Sequence, residues 1–172
     1  LKNKIYKRPS VKTDDQDDSK YNTLVFGANQ EKLNYTFSKC CSPIPGDDVF
    51  GFTTIREGIK VHRRDCPNAI RLQSNFAYRI LESKWIDNKS KKSDVVLHIK
   101  GIDRVGLINE VTQILSNNLK VNIKSININS SDGTFDGMIT ILVTDKQYLK
   151  KVTDSIKKVD GITSVRRKFK SD

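Results

Sequence analysis

Cys40, Cys41, His62 and Cys66 are the residues with which this chain could do chemistry. They comprise all three of its cysteines and one of its two histidines. Thiolates and an imidazole are the ligand types of a tetrahedral Zn2+ site, which needs about four of them. His62 and Cys66 are four apart, so one helical turn or a loop can bring them together. Cys40 and Cys41 are adjacent, and neighbours in an extended chain point to opposite sides. Both can reach one metal only if the backbone kinks, which Pro43 makes possible. The familiar spacing of two residues between cysteines is absent. A metal-free cluster of buried thiols is the alternative, because unpaired cysteine is among the most buried residue types. Both readings stay open at this point. Cys66 and His62 acting as nucleophile and base would need an oxyanion donor and a pocket, and nothing in the sequence marks either. No catalytic residue and no organic cofactor are assigned.

Basic side chains crowd the same region. Arg56, Lys60, Arg63, Arg64 and Arg71 can neutralise phosphates, arginine also stacks on bases, and His62 and Phe52 offer further stacking surface. The formal net charge of +11 is spread along the whole chain and favours polyanionic partners. A solvated, merely charged face is the competing reading.

These residues need elements to hold them. Residues 1–31 are polar, carry Asp14, Asp15, Asp17 and Asp18, and read as a linker. Residues 32–87 read as a small α+β domain. A strand at 33–38 leads to Cys40, Gly46-Asp47 turns the chain, and 49–54 and 59–62 form a hairpin around Gly58. Asp65 is the expected cap of a short helix with Pro67 in its first turn, and 78–86 has strand character. Residues 87–93 form a polar linker, too poor in apolar groups to dock its neighbours, which predicts two domains that move relative to each other. Residues 93–172 then read as β-α-β-β-α-β. Val95, Leu97 and Ile99 alternate. Apolar positions 107, 108, 111, 114, 115 and 119 share a helical face. A phase change near Lys124-Ser125 predicts a bulge, and Asp132-Gly133 predicts a tight turn. Leu149, Val152, Ile156 and Val159 mark a second helix, ended by Gly161. The order is that of a ferredoxin-like split unit. The fold class is therefore α+β, with the cysteine domain followed by a ferredoxin-like one.

No apolar run reaches the ~18 residues of a membrane span, and no signal peptide is seen. An odd number of cysteines suits a reducing, cytoplasmic setting. A chain that starts at Leu1 reads as a piece of a longer one.

The run Cys40-Cys41-Ser42-Pro43-Ile44-Pro45-Gly46-Asp47-Asp48-Val49-Phe50-Gly51, followed by Gly58 and by His62-Arg63-Arg64-Asp65-Cys66-Pro67-Asn68, resembles the zinc-finger or intervening domain of RelA/SpoT-type enzymes. Asp103-Arg104-Val105-Gly106-Leu107 resembles the opening of the ACT domain that ends them. The resemblance covers residues 38–172. It implies the regulatory end of a stringent-response (p)ppGpp synthetase/hydrolase, a GTP pyrophosphokinase whose catalytic domains lie elsewhere and which this part controls. It implies contact with the ribosome, through ribosomal RNA and A-site tRNA, and assigns that contact to Arg56, Lys60, His62, Arg63, Arg64 and Arg71. It implies an amino-acid effector at Asp103, Arg104, Val105, Gly106, Leu107 and Asn109, faced by Asn122 and Ile123. Here Asp103 would cap the helix and free N–H groups would meet a carboxylate. The ACT half, a sheet with its two helices on one face, suggests a homodimer in which Val96 and His98 on the other face meet a partner, and no membrane partner is expected. The family's zinc-finger name suggests Zn2+ on Cys40, Cys41, His62 and Cys66. Two rivals stay open: a free-standing amino-acid-binding ACT regulatory protein, and a small RNA-binding protein without an enzymatic parent.

Overall fold

The computed structural model describes residues 24–86 and 92–169, which form two sheets. Residues 87–91 of the expected linker 87–93 and the acidic run at 14–18 lie outside the described residues.

The first sheet contains β1 (Leu24–Phe26), β2 (Tyr35–Phe37), β3 (Val49–Thr53), β4 (Ile59–Arg63) and β5 (Ile80–Trp85), in the order β1-β5-β3-β4-β2. β2 runs parallel to β4 and the remaining pairs are antiparallel. Alternation along β3 sends its side chains to two separate cores. Val49 packs with Leu24, Phe26, Tyr35, Ile59 and Val61. Phe50 and Phe52 pack on the opposite side with Cys40, Cys41, Cys66 and Ala69. Gly51 must be small, because a Cβ there would sit 2.9 Å from the Phe26 ring. α1 (Pro67–Asn75) follows β4. Its capping position is Cys66, not Asp65, whose carboxylate instead takes the Arg63 guanidinium. β1 lies inside the stretch expected to be linker, so this sheet begins at Leu24.

The second sheet contains β6 (Ser93–Ile102), β7 (Asn122–Ser131), β8 (Thr134–Val143) and β9 (Ile162–Arg167). Its order, β7-β8-β6-β9, is the ferredoxin-like one. α2 (Leu107–Gln113), which continues as a π-helical turn over Ile114–Asn118, and α3 (Lys146–Lys157) contribute apolar stripes to one core. The odd residues of β6 and β8 meet Leu107, Val111, Leu115, Leu149, Val152 and Ile156 there. The register shifts between Ile123 and Ser125, where the apolar phase changes, and Asp132-Gly133 makes the left-handed hairpin turn. Gly106 in the left-handed conformation, not Asp103, occupies the start of α2, with no side-chain cap. The Asp103 amide instead donates to the Gly133 carbonyl over 2.9 Å.

The two sheets touch through the loop between β2 and β3. Ile44, from the loop between β2 and β3, is 0% exposed and belongs to the core of the second sheet. The Lys146 amide at the start of α3 donates to the Pro45 carbonyl over 2.8 Å. Asp47 and Arg167 pair over 2.8 Å, and both side chains are almost fully buried. Among the described residues, these docking groups come from the Pro-rich loop and from its partners on α3 and β9.

Candidate metal centre

Three local decisions converge the four ligand atoms. First, the chain turns sharply before Pro43: the Ser42 amide donates to the Ser38 carbonyl over 2.9 Å, and Ser42 adopts φ 42°. This kink puts both Cys40 Sγ and Cys41 Sγ on the side of His62. Second, β4 pairs with β3 so that His62 lies opposite Phe50, and the two rings stack with centroids 5.9 Å apart. Third, Cys66 opens α1 at the point where Pro67 fixes the backbone for the first turn.

The four ligand atoms converge on one small volume. Cys40 Sγ lies 3.5 Å from Cys66 Sγ and 3.6 Å from His62 Nδ1, and Cys41 Sγ lies 4.0 Å from His62 Nδ1. All four ligand atoms fall within 4.8 Å of one another. A tetrahedral zinc ion with its usual bond lengths spaces its ligands by roughly 3.5–3.8 Å. The residues present fit such an ion, and all four are buried.

The thiols are tuned differently. Burial pushes the Cys41 thiol up to about 12, against the hydrogen bond from the Arg63 amide to its sulfur over 3.3 Å. Burial likewise raises Cys66. Burial also opposes ionisation of Cys40, but contacts from Ser38, Cys66 and Asn68 win and hold it below the ordinary thiol value. The Ser38 hydroxyl lies 3.0 Å from its sulfur. The first thiolate of the cluster is therefore that of Cys40. A cation would favour ionisation of the others, since coordinating thiols deprotonate.

Of the residues expected at a nucleic-acid face, only some are free to be there. Arg56 and Arg71 are exposed, and Lys60 pairs with Glu57. Arg64 reaches Asp48 over 3.1 Å and Glu82 over 2.6 Å. His62 and Arg63 are 6% and 9% exposed: the first belongs to the thiol cluster and the second to the joint between the sheets. Sequence reasoning passed over Arg79, whose guanidinium lies 5.5 Å from the Tyr78 ring and 5.7 Å from the Phe76 ring. Tyr78 and Ile70 are 78% and 61% exposed. Two aromatics beside one arginine in Phe76-Ala77-Tyr78-Arg79 were the available signal.

The loop 103–109 is open, and Val105 is fully exposed. Leu107, however, is core, and Arg104 is held in a fork by Glu110 at 2.9 and 2.7 Å and donates to the Asp160 carbonyl over 3.1 Å. Asn109 and Asn122 are exposed, and Ile123 is half-buried. No helix among the described residues is long and apolar enough to cross a membrane.

The RelA/SpoT RIS domain family model matches residues 25–86, starting inside β1, and the ACT domain family model matches residues 89–167. The bifunctional (p)ppGpp synthase/hydrolase RelA of Mycobacterium tuberculosis is 36% identical over 131 residues, which are 76% of this chain and 18% of that protein. A GTP pyrophosphokinase of Escherichia coli K12 is 33% identical over 156 residues, 88% of this chain and 21% of that protein. The chain thus spans about a fifth of the length of these curated relatives. Among solved structures, the ACT domain from GTP pyrophosphokinase of Chlorobium tepidum is 30% identical. It covers 45% of this chain and 99% of that chain, with a TM-score of 0.41.

Proposed function

The chain belongs to the RelA/SpoT family, as a RIS domain followed by an ACT domain, and from that premise we propose that it is the ribosome-sensing part of a (p)ppGpp synthetase/hydrolase, built around one structural Zn2+. Its role is to bind ribosomal RNA, dimerise, and pass the bound state to catalytic domains in the same polypeptide. The zinc, held by Cys40, Cys41, His62 and Cys66, would fix the kink at 38–42 against the start of α1. A four-ligand site of this kind leaves no open position for a substrate, so its chemistry is structural.

The observation that carries the RNA reading is the exposed aromatic-basic surface after α1. Arg79 lies over the rings of Tyr78 and Phe76, and Arg71 and Ile70 are exposed on the helix before it. Arginine over exposed aromatics suits splayed bases and the phosphates between them. Arg56, at the tip of the β3–β4 hairpin, is a further exposed cation. Amino-acid sensing by the loop 103–109 has weaker support, because Arg104 is already committed to Glu110.

The test replaces Arg56, Arg71 and Arg79 by alanine in the full-length enzyme and measures ribosome binding at several salt concentrations. Each lost phosphate contact should flatten the slope of log K against log[salt] by roughly one unit. Binding and slope equal to the parent's would remove the RNA reading for this surface.

A further inference from the structure

The loop that begins with two cysteines of the thiol cluster is also the loop that docks the ACT domain. Within it, Cys40 and Cys41 contribute to the thiol cluster, and Ile44 is fully buried in the ACT core. Pro43 and Pro45 flank Ile44 and fix two of the backbone angles that would otherwise absorb a displacement. Asp47 closes the loop on itself by accepting from the Ile44 amide over 2.9 Å. Trp85 of β5 donates to the Asp47 carbonyl over 2.8 Å.

The ACT domain grips this loop from two sides. At the start of α3, the Lys146 amide bonds the Pro45 carbonyl, and a Cβ at Gly46, whose φ is +87°, would press on Lys146 Cβ at 3.3 Å. At the end of β9, Arg167 bonds the Asp47 carboxylate over 2.8 Å and the Ser42 carbonyl. Phe169, two residues on, packs against the cluster that contains all three cysteines, and the Arg63 guanidinium lies 4.8 Å over its ring. Arg63 closes the circuit. Its amide bonds Cys41 Sγ, its Nε lies 3.9 Å from Asp47, and its Nη1 is buried with no hydrogen-bond partner among the described residues. Pulling Arg167 away would leave the Asp47 carboxylate, 4% exposed, without that buried partner, which is costly.

We infer that metal capture at Cys40, Cys41, His62 and Cys66 and docking of the ACT domain are one linked equilibrium, with the loop 41–47 as the latch between them. The inference rests on the zinc reading above. The cluster holds the first residues of the latch in the geometry that seats Ile44 and Asp47, so a chain that binds Zn2+ docks its ACT domain more tightly. By reciprocity, a chain whose ACT domain is displaced binds Zn2+ more weakly by the same factor. A signal that pulls the ACT domain away is thereby felt at the thiol cluster, and loss of metal loosens the ACT domain.

Two measurements on this chain test it. Zn2+ affinity is read by competition with a chromophoric chelator, for the parent and for Arg167→Leu, a residue that supplies no ligand atom. Coupling of ordinary size predicts about fivefold or more weaker affinity in the variant, at an unchanged one ion per chain. The second measurement needs no variant. Hydrogen exchange at the Lys146 amide should speed up by a similar factor when the parent is stripped of metal, while exchange at the Tyr148 amide, bonded within α3 to Asp145, stays as it was. One Zn2+ per chain, with equal affinity in Arg167→Leu and a Lys146 amide indifferent to metal, would overturn the latch and leave the zinc reading intact. A parent that binds no Zn2+ would overturn both.

Discussion

Asp145 shows how one side chain sets where an element begins. It precedes α3 in an extended conformation and accepts from the Tyr148 amide over 2.8 Å. That bond holds its carboxyl below the ordinary carboxylate value, with burial opposing and Thr144 assisting. A depressed folded-state value means that the contribution is fully present above the unfolded carboxylate's pKa and fades as pH falls through the folded one. Asp145→Ala should therefore cost about 1 kcal/mol at neutral pH. The gap between parent and variant should close below about pH 4. Denaturant melts across pH measure this, and a gap that persists at pH 2 would contradict the cap. Arg63 carries the opposite lesson at this scale. Its place in a basic run suggested a phosphate contact, but it is spent on Asp65, Asp47 and Phe169. An Arg63→Ala phenotype would report on the joint before it reported on RNA.

Among the elements, β6 sits between β8 and β9 and runs against the turn that ends α3. Gly101 lies at its register shift, and a Cβ there would fall 2.1 Å from the Gly161 carbonyl oxygen, which also accepts the Ile102 amide over 2.8 Å. The obstacle is backbone, so it cannot swing aside as a side chain would. Gly133, by contrast, has open space around it, and only its φ of +74° resists substitution. Gly101→Ala should destabilise by about 3 kcal/mol or more, and Gly133→Ala by about 1–2 kcal/mol. Thermal melts of the two variants should separate clearly, and equal melting temperatures would sink the close-approach account.

For the whole molecule, the helices cover one face of the ACT sheet and leave the other open. Val96 faces Thr140 across β6 and β8 on that open side, near His98, which is bonded to Asp136 over 2.7 Å. An open, half-apolar sheet face is a surface on which a second copy can pack. We expect a dimer through this face and conversion to monomer by Val96→Glu, whose side chain would leave the core untouched. Sedimentation at micromolar concentration decides it: a parent that is monomeric throughout would end the dimer reading. The joint adds a second property at this scale. Two domains linked by a polar segment nonetheless share a core residue, Ile44, so a change in either is transmitted to the other.

Periodicity was enough for the ACT half. Alternation at 95, 97 and 99, the helical stripe at 107–115, the phase change at Lys124 and the turn at Asp132-Gly133 are each written in neighbouring residues, and each is where the structure has it. The chain also specified by itself which side chains could hold a metal. Their convergence was a tertiary outcome. It brings together atoms 22 and 26 positions apart, and it depends on a kink at Ser42 that lies before the proline suspected of causing it. β1 escaped notice because three residues carry no readable period, and only pairing with β5 makes them a strand. The joint was invisible for the same reason in stronger form. Asp47 and Arg167 are 120 residues apart, and local sequence carries no trace of a contact whose energy comes from burying two distant segments against each other.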